Sequence, residues 1–151
     1  MKLFLDSAIT DEIRQYYNTG MIDGVTTNPT RRYQSGKNPE DVYQELIDMG
    51  IPDISMEVVG DENTMIGEGR RLIKKFGNRQ ATIKVPCTVE GLAACRALSD
   101  EGARVNVTLI FSLAQSILAF KSGATYISPF VGRVDDNSFN GLELIKEITA
   151  T

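Results

Sequence analysis

Six times along the chain a short run of strand-forming residues gives way to a stretch with helical spacing, at about 25 residues per repeat. This rhythm constrains the fold more than any other feature. Two strands joined through a helix lie parallel, and a parallel sheet needs helices over its faces. The strand runs are Lys2–Asp6, Gly24–Pro29, Ile54–Val59, Ala81–Pro86, Val105–Ile110 and Tyr126–Val131. Between them, Thr10 is placed to cap a short helix with Asp11 and Glu12 in its first turn, and Asn38-Pro39 opens a second helix. Gly67 and Gly69 weaken the third helix, Thr88 caps the fourth, and Ser112-Leu113-Ala114-Gln115 is a capping box for the fifth. Leu142, Ile145 and Ile148 mark a last helix. With no linker, low-complexity segment or charge block, residues 1–151 read as a single domain. An α/β fold follows, either an open doubly wound sheet or a (β/α) TIM-barrel type. The absence of a Gly-x-Gly-x-x-Gly or Walker sequence weakens the nucleotide-binding form of the first.

Polar residues carry the choice further. Asp6, Asn28, Glu57, Lys84, Asn106, Thr108, Ser128 and Arg133 all fall within, at or just past an expected strand. Chance would have scattered many of them over helices. Side chains gathered at the C-terminal ends of successive strands are how a (β/α) barrel builds its site.

Several function classes are excluded or disfavoured. The net charge is −4, and no basic cluster exceeds two adjacent residues (Arg31-Arg32, Arg70-Arg71, Lys74-Lys75), so no nucleic-acid partner is expected. No apolar run approaches the roughly 18 residues of a membrane span. The N-terminus enters a strand directly, so no signal peptide is read there, and Cys87 and Cys95 suit a reducing cytoplasm. The chain has no histidine, which removes Ser–His and Cys–His catalysis and histidine-ligated zinc. A general base must be Asp, Glu, Lys or Tyr. No metal site and no cofactor are expected.

Lys84 is the anomaly, a lysine inside the apolar run Ala81-Thr82-Ile83-Lys84-Val85-Pro86. Strand alternation sets Thr82 and Lys84 on one face and Ile83 and Val85 on the other. A free lysine has a pKa of about 10.4, so roughly a few molecules in ten thousand are neutral at pH 7. Burial or a neighbouring cation is what makes a lysine nucleophilic towards a carbonyl. Two readings stay open: that nucleophile, or an ammonium snorkelling to solvent at a strand end. Asp6 and Glu57 are candidate proton-transfer groups, against a turn residue for Asp6 and a partner for a structural cation for Glu57. Arg133, past the sixth strand, suits a phosphate or is a surface arginine. Asn28, Asn106, Thr108 and Ser128 could orient substrate hydroxyls and a water, and turn chemistry before Pro29 explains Asn28 equally well.

The chain resembles the transaldolase family, including its small members and the related fructose-6-phosphate aldolases. The matching segments are Leu3-Phe4-Leu5-Asp6, Gly24-Val25-Thr26-Thr27-Asn28-Pro29, Ile83-Lys84-Val85-Pro86 with Thr88 and Glu90-Gly91, Asn106 to Ser112 with Ala114-Gln115, and Ile127 to Arg133. They run in family order over almost the whole chain. The resemblance implies a (β/α)8 barrel, metal-free class I aldol chemistry and sugar-phosphate substrates of the pentose phosphate pathway. It gives Lys84 as the Schiff-base lysine and Asp6 as the carboxylate that takes a hydroxyl proton. It gives Glu57 as an acid/base working with Thr108 through a water. Asn28 and Asn106 match substrate-orienting amides, Ser128 lies in the matching wall, and Arg133 matches a phosphate ligand. The aldolases carry glutamine where Glu57 stands and tyrosine where Phe130 stands, so transfer of a dihydroxyacetone unit is expected before simple cleavage. A third expectation is a phosphosugar-binding remnant without turnover. The match ends after the sixth of eight β/α units, and the family's seventh strand supplies further phosphate ligands. Unpaired edges on the first and sixth strands are a liability, so a homo-oligomer that covers them is expected ahead of a tighter six-stranded barrel or a fragment of a longer product.

Overall fold

A computed structural model describes residues 2–28, 36–138 and 140–151. Pro29, expected to end the second strand, and the Arg31-Arg32 pair lie outside the described residues. Six strands form one sheet: β1 (Phe4–Asp6), β2 (Gly24–Thr26), β3 (Ile54–Glu57), β4 (Ala81–Pro86), β5 (Val105–Ile110) and β6 (Tyr126–Pro129). The helices among the described residues are α1 (Thr10–Tyr17), α2 (Pro39–Asp48), α3 (Glu62–Phe76), α4 (Val89–Asp100), α5 (Leu113–Lys121), α6 (Val131–Asp136) and α7 (Gly141–Thr149). The strands neighbour one another in chain order, β1-β2-β3-β4-β5-β6. A doubly wound sheet reverses direction at a switch point and a (β/α) barrel does not. The order therefore decides the question the repeat left open: this is an α/β fold of the (β/α)-barrel type, with six β/α units.

The chain divides into two compact units. The first runs up to Val58 and includes Glu68–Ile83; the second joins Val59–Gly67 to Lys84–Thr151. In the first unit β1 pairs in parallel with β2 and β2 with β3, with Asp6 level with Thr26 and Thr26 level with Ser55. Its core is apolar and fully buried, with Ile13, Val25, Val42, Leu46, Ile54 and Ile83 at its centre and Tyr43 edge-on to Phe76 at 5.8 Å. Gly24 is required there. A Cβ on it would stand 2.3 Å from the Phe4 ring and 2.7 Å from the Asp53 carbonyl oxygen. Glu40 on α2 ties that helix to α3, accepting from Arg71 at 2.5 Å and from Lys75.

In the second unit β5 pairs in parallel with β6, and Val85, Leu98, Val105, Val107, Ile110 and Ala119 are fully buried. The pairing carries a bulge between Thr108 and Ile110, where Leu109 takes φ +61°. A leucine there is strained, since its Cβ crowds the following carbonyl. Thr88, Ser112 and Asn140 each cap the next helix by accepting a backbone N–H three residues on, at 3.0, 3.3 and 3.1 Å.

Some boundaries differ from expectation. Thr10 is the first residue of α1 rather than its cap; Ile9 stands at the cap position without a side-chain bond, and just before it Ser7 accepts the Ile9 N–H at 3.1 Å and donates to Glu12 at 2.7 Å. Gln115 reaches back to the Phe111 N–H at 2.7 Å, one residue before the cap that a strict capping box would use. The third helix runs unbroken through Gly67 and Gly69. β6 stops at Pro129, so Phe130 is the residue before a helix and Arg133 lies on α6 instead of in a loop.

Candidate active site

The expected residues divide between the two compact units. In the first, three expected residues stand at the C-terminal ends of strands. Asp6 is the last residue of β1, Glu57 is the last of β3, and Asn28 follows β2. Asp6 is exposed, while Asn28 and Glu57 are half-buried. The Thr26 hydroxyl donates to Asp6 Oδ1 at 3.1 Å, which fixes the carboxylate from the neighbouring strand. Sequence reasoning passed over Thr26 as a strand former. Its signal was available only through pairing, since Thr26 is 20 residues from Asp6 and meets it because the two are level. Thr27, fully buried, donates to the Ser55 carbonyl at 3.2 Å and holds the end of β2 on β3. A second overlooked pair is internal: Thr82 donates to Asp53 Oδ1 at 2.7 Å, and both residues are buried. It anchors the first half of the strand that carries Lys84.

The second unit holds Lys84, Asn106, Thr108, Ser128, Phe130 and Arg133. Lys84 is 4% exposed, so it is not a snorkelling surface ammonium. The Cys87 N–H donates to the Thr108 carbonyl at 2.9 Å, which binds the end of β4 to β5. In a parallel ladder the residue before the donor stands level with the acceptor, so Pro86 lies beside Thr108 and, two residues back, Lys84 beside Asn106. Side chains level with each other in a sheet share a face. Asn106 and Thr108 share theirs by alternation, and Ser128 joins them from β6, level with Thr108. Its hydroxyl donates to Asn106 Oδ1 at 2.9 Å, which leaves the Asn106 amide nitrogen directed elsewhere as a donor.

Thr108 is 1% exposed, and its hydroxyl has no hydrogen-bond partner among the described residues. A buried hydroxyl without a partner costs about 1–3 kcal/mol, so its presence calls for an explanation beyond packing. Phe130 packs edge-on against Phe111, with ring centres 5.6 Å apart, and its N–H holds the Ile110 carbonyl at 2.9 Å. Arg133 points outward from α6, its side chain 73% exposed and 3.8 Å from the Asp136 carboxylate. Burial pushes the Cys87 thiol up from its ordinary value, and the Cys95 thiol as well. Neither offers a thiolate at neutral pH. Among the described residues no cluster of acidic or cysteine side chains is arranged to hold a metal ion, and no helix is long and apolar enough to cross a membrane.

Residues 3–151 match the family model described as transaldolase/fructose-6-phosphate aldolase. The chain is 49% identical over 149 residues to a probable transaldolase of Ruegeria pomeroyi, covering 98% of this chain and 68% of the relative. It is 50% identical to that of Paracoccus denitrificans, with the same coverage, and 46% identical to that of Nitrosopumilus maritimus, covering 66% of that relative. Among solved structures, the carboxyl transferase domain of Rhizobium etli pyruvate carboxylase with pyruvate and biocytin superposes on 93% of this chain with a TM-score of 0.54 at 10% identity. The same domain with pyruvate gives 0.51 at 11%. The chain spans about a third of those two chains, 30% and 33%, and the likeness is one of fold.

Proposed function

The chain belongs to the transaldolase/fructose-6-phosphate aldolase family, and on that premise we propose that it transfers a dihydroxyacetone unit from a ketose phosphate to an aldose phosphate through a Schiff base on Lys84. The observation that carries the reading is the burial of Lys84 at 4% exposure, on a strand face shared with Asn106 and the unpartnered Thr108 hydroxyl. A lysine is costly to bury and is kept there when its amine is used.

In this reading the Lys84 amine attacks the ketose carbonyl, and the carbinolamine loses water to give an iminium. Asp6 takes the proton from the hydroxyl on the carbon beyond the bond to be broken. That carbon–carbon bond breaks, its electron pair moves to the iminium to form an enamine, and an aldose phosphate leaves. The enamine then adds to the acceptor aldehyde, whose oxygen receives the proton from Asp6. Water finally releases the product ketose and returns the free amine. Glu57 and Thr108 handle the water and its proton in the first and last steps. Asn28, Asn106 and Ser128 orient the carbonyl and hydroxyl groups, Phe130 lines the site, and Arg133 takes the phosphate as a charge-assisted pair. Glu57 and Phe130, in place of glutamine and tyrosine, support transfer over simple cleavage.

The test is trapping. The protein is incubated with fructose 6-phosphate, reduced with borohydride, and the Lys84 peptide is weighed. A three-carbon adduct on Lys84, absent from Lys84→Met, is expected. No adduct on the wild-type lysine sinks the enzymatic reading and leaves phosphosugar binding without turnover. Free dihydroxyacetone released without an acceptor would assign cleavage instead of transfer.

A further inference from the structure

α6 is a helix of six residues, Val131–Asp136, with no side-chain cap at Phe130 and no buried residue. A helix this short is not stable by its own hydrogen bonds. It nevertheless carries Arg133, whose side chain is paired among the described residues with Asp136, in an exposed contact at 3.8 Å. Where that guanidinium sits is therefore set by what holds α6. Its near end is held where the Phe130 N–H meets the Ile110 carbonyl, and its far end is held by a side chain. Asp135 Oδ1 accepts the backbone N–H of Gly141 at 2.8 Å, the first residue of α7. The contact is made close by the missing side chain of Gly141. A Cβ there would stand 2.7 Å from both Val131 Cγ1 and the Val131 carbonyl oxygen, and 3.1 Å from Asp135 Oδ1. α7 is a firm base for this bond, with Asn140 capping Glu143 at 3.1 Å and Gly141 and Leu144 buried. A carboxylate at the start of α7 is also favoured by the helix dipole. Between the two helices the Asn137 side-chain amide donates to the Arg133 carbonyl at 2.7 Å, and Ser138 turns the chain at φ +64°.

We propose that Asp135 is a positioning residue, which latches α6 onto α7 and so places Arg133 for the phosphate of the substrate. The inference rests on the reading of Arg133 as the phosphate ligand. Asp135 itself touches no substrate. Its neighbour Asp136 faces the arginine, so the two adjacent carboxylates have different tasks.

The experiment compares wild type, Asp135→Ala and Asp135→Asn in three readouts. The first is the affinity for inorganic phosphate and for fructose 6-phosphate by calorimetry, which needs no turnover. The second is the KM and kcat for fructose 6-phosphate. The third is the yield of borohydride-trapped Lys84 adduct from dihydroxyacetone, which has no phosphate. Asp135→Ala should weaken phosphate binding and raise the KM for fructose 6-phosphate by about three- to tenfold, the range of one lost hydrogen bond. Its dihydroxyacetone adduct should match wild type. Asp135→Asn keeps an oxygen for the Gly141 N–H and should stay within about twofold of wild type, the latch conserved. Should Asp135→Ala fail to fold, Asp135→Glu decides, since it keeps the charge but lengthens the arm and should raise the KM in the same phosphate-selective way. Unchanged phosphate affinity, an equal loss for dihydroxyacetone, or Asp135→Asn falling as far as Asp135→Ala would each overturn the proposal, as would a wild type that does not bind inorganic phosphate. A wild type that binds phosphate but forms no Lys84 adduct counts against the aldol reading alone.

Discussion

Gly91→Ala tests the packing around the lysine strand, because helix propensity and tertiary structure give it opposite signs. Gly91 lies in the first turn of α4, where replacing glycine by alanine in a helix ordinarily gains up to about 1 kcal/mol. A Cβ on Gly91 would stand 1.9 Å from the carbonyl oxygen of Pro86, the last residue of β4. Ordinary contact begins at 3.4 Å, so strand end and helix start must part by some ~1.5 Å. Neither wall gives easily. The Pro86 carbonyl already accepts the Thr88 N–H at 2.9 Å, and Thr88 caps the helix through the Gly91 N–H at 3.0 Å. Overpacking of this kind costs about 1–3 kcal/mol, and the backbone origin of the clash places it at the upper end. Net of propensity, Gly91→Ala should lose about 1–2 kcal/mol, or roughly 2–8 °C in melting midpoint for a chain of this size. Gly67→Ala on α3 is the control, since its Cβ would meet nothing within 4 Å. It should gain about 0.5–1 kcal/mol. Urea midpoints with unchanged slopes measure both. If Gly91→Ala proves as stable as wild type, the close approach of α4 to the end of β4 is not what the geometry says.

Two further expectations follow from other groups. Thr108→Val removes a buried hydroxyl that has no partner and should hold or raise stability, by up to about 1 kcal/mol, while turnover of fructose 6-phosphate falls by roughly 10²-fold; a destabilised protein with intact turnover would reverse the assignment. Glu40→Gln should cost about 0.5–1 kcal/mol at neutral pH, discounted for exposure, because Lys75 and then Arg71 hold the Glu40 carboxyl below its usual 4.5. A lowered folded-state value means this stability is present above about 4.5 and is lost as pH falls through the lowered value. The gap between the two urea midpoints should thus close in acid and narrow in high salt, and a gap that persists in acid would refute the ion-pair account.

The sequence by itself determined the class of the fold and named the candidate site residues. The repeat demanded parallel strands with helices between them, and polar residues at strand ends stood out because strand interiors here are otherwise apolar. Lys84 was legible for that reason, since a lysine among Thr82, Ile83 and Val85 has few innocent explanations. Caps at Asn38, Thr88 and Ser112 were legible because each bonds within three residues of itself.

Tertiary structure decided what depends on residues far apart in the chain. Strand order separated the barrel type from the doubly wound sheet, and no local pattern encodes it. Thr26 reached Asp6, Thr82 reached Asp53 and Ser128 reached Asn106 only through strand pairing, across 20, 29 and 22 residues. The end of β6 was misjudged because Phe130 and Val131 are good strand formers, whereas β6 ends at Pro129 and a helix starts at Val131. Residue type can announce that a group does chemistry. Only the packing that brings its neighbours within about 3 Å determines how that group is held.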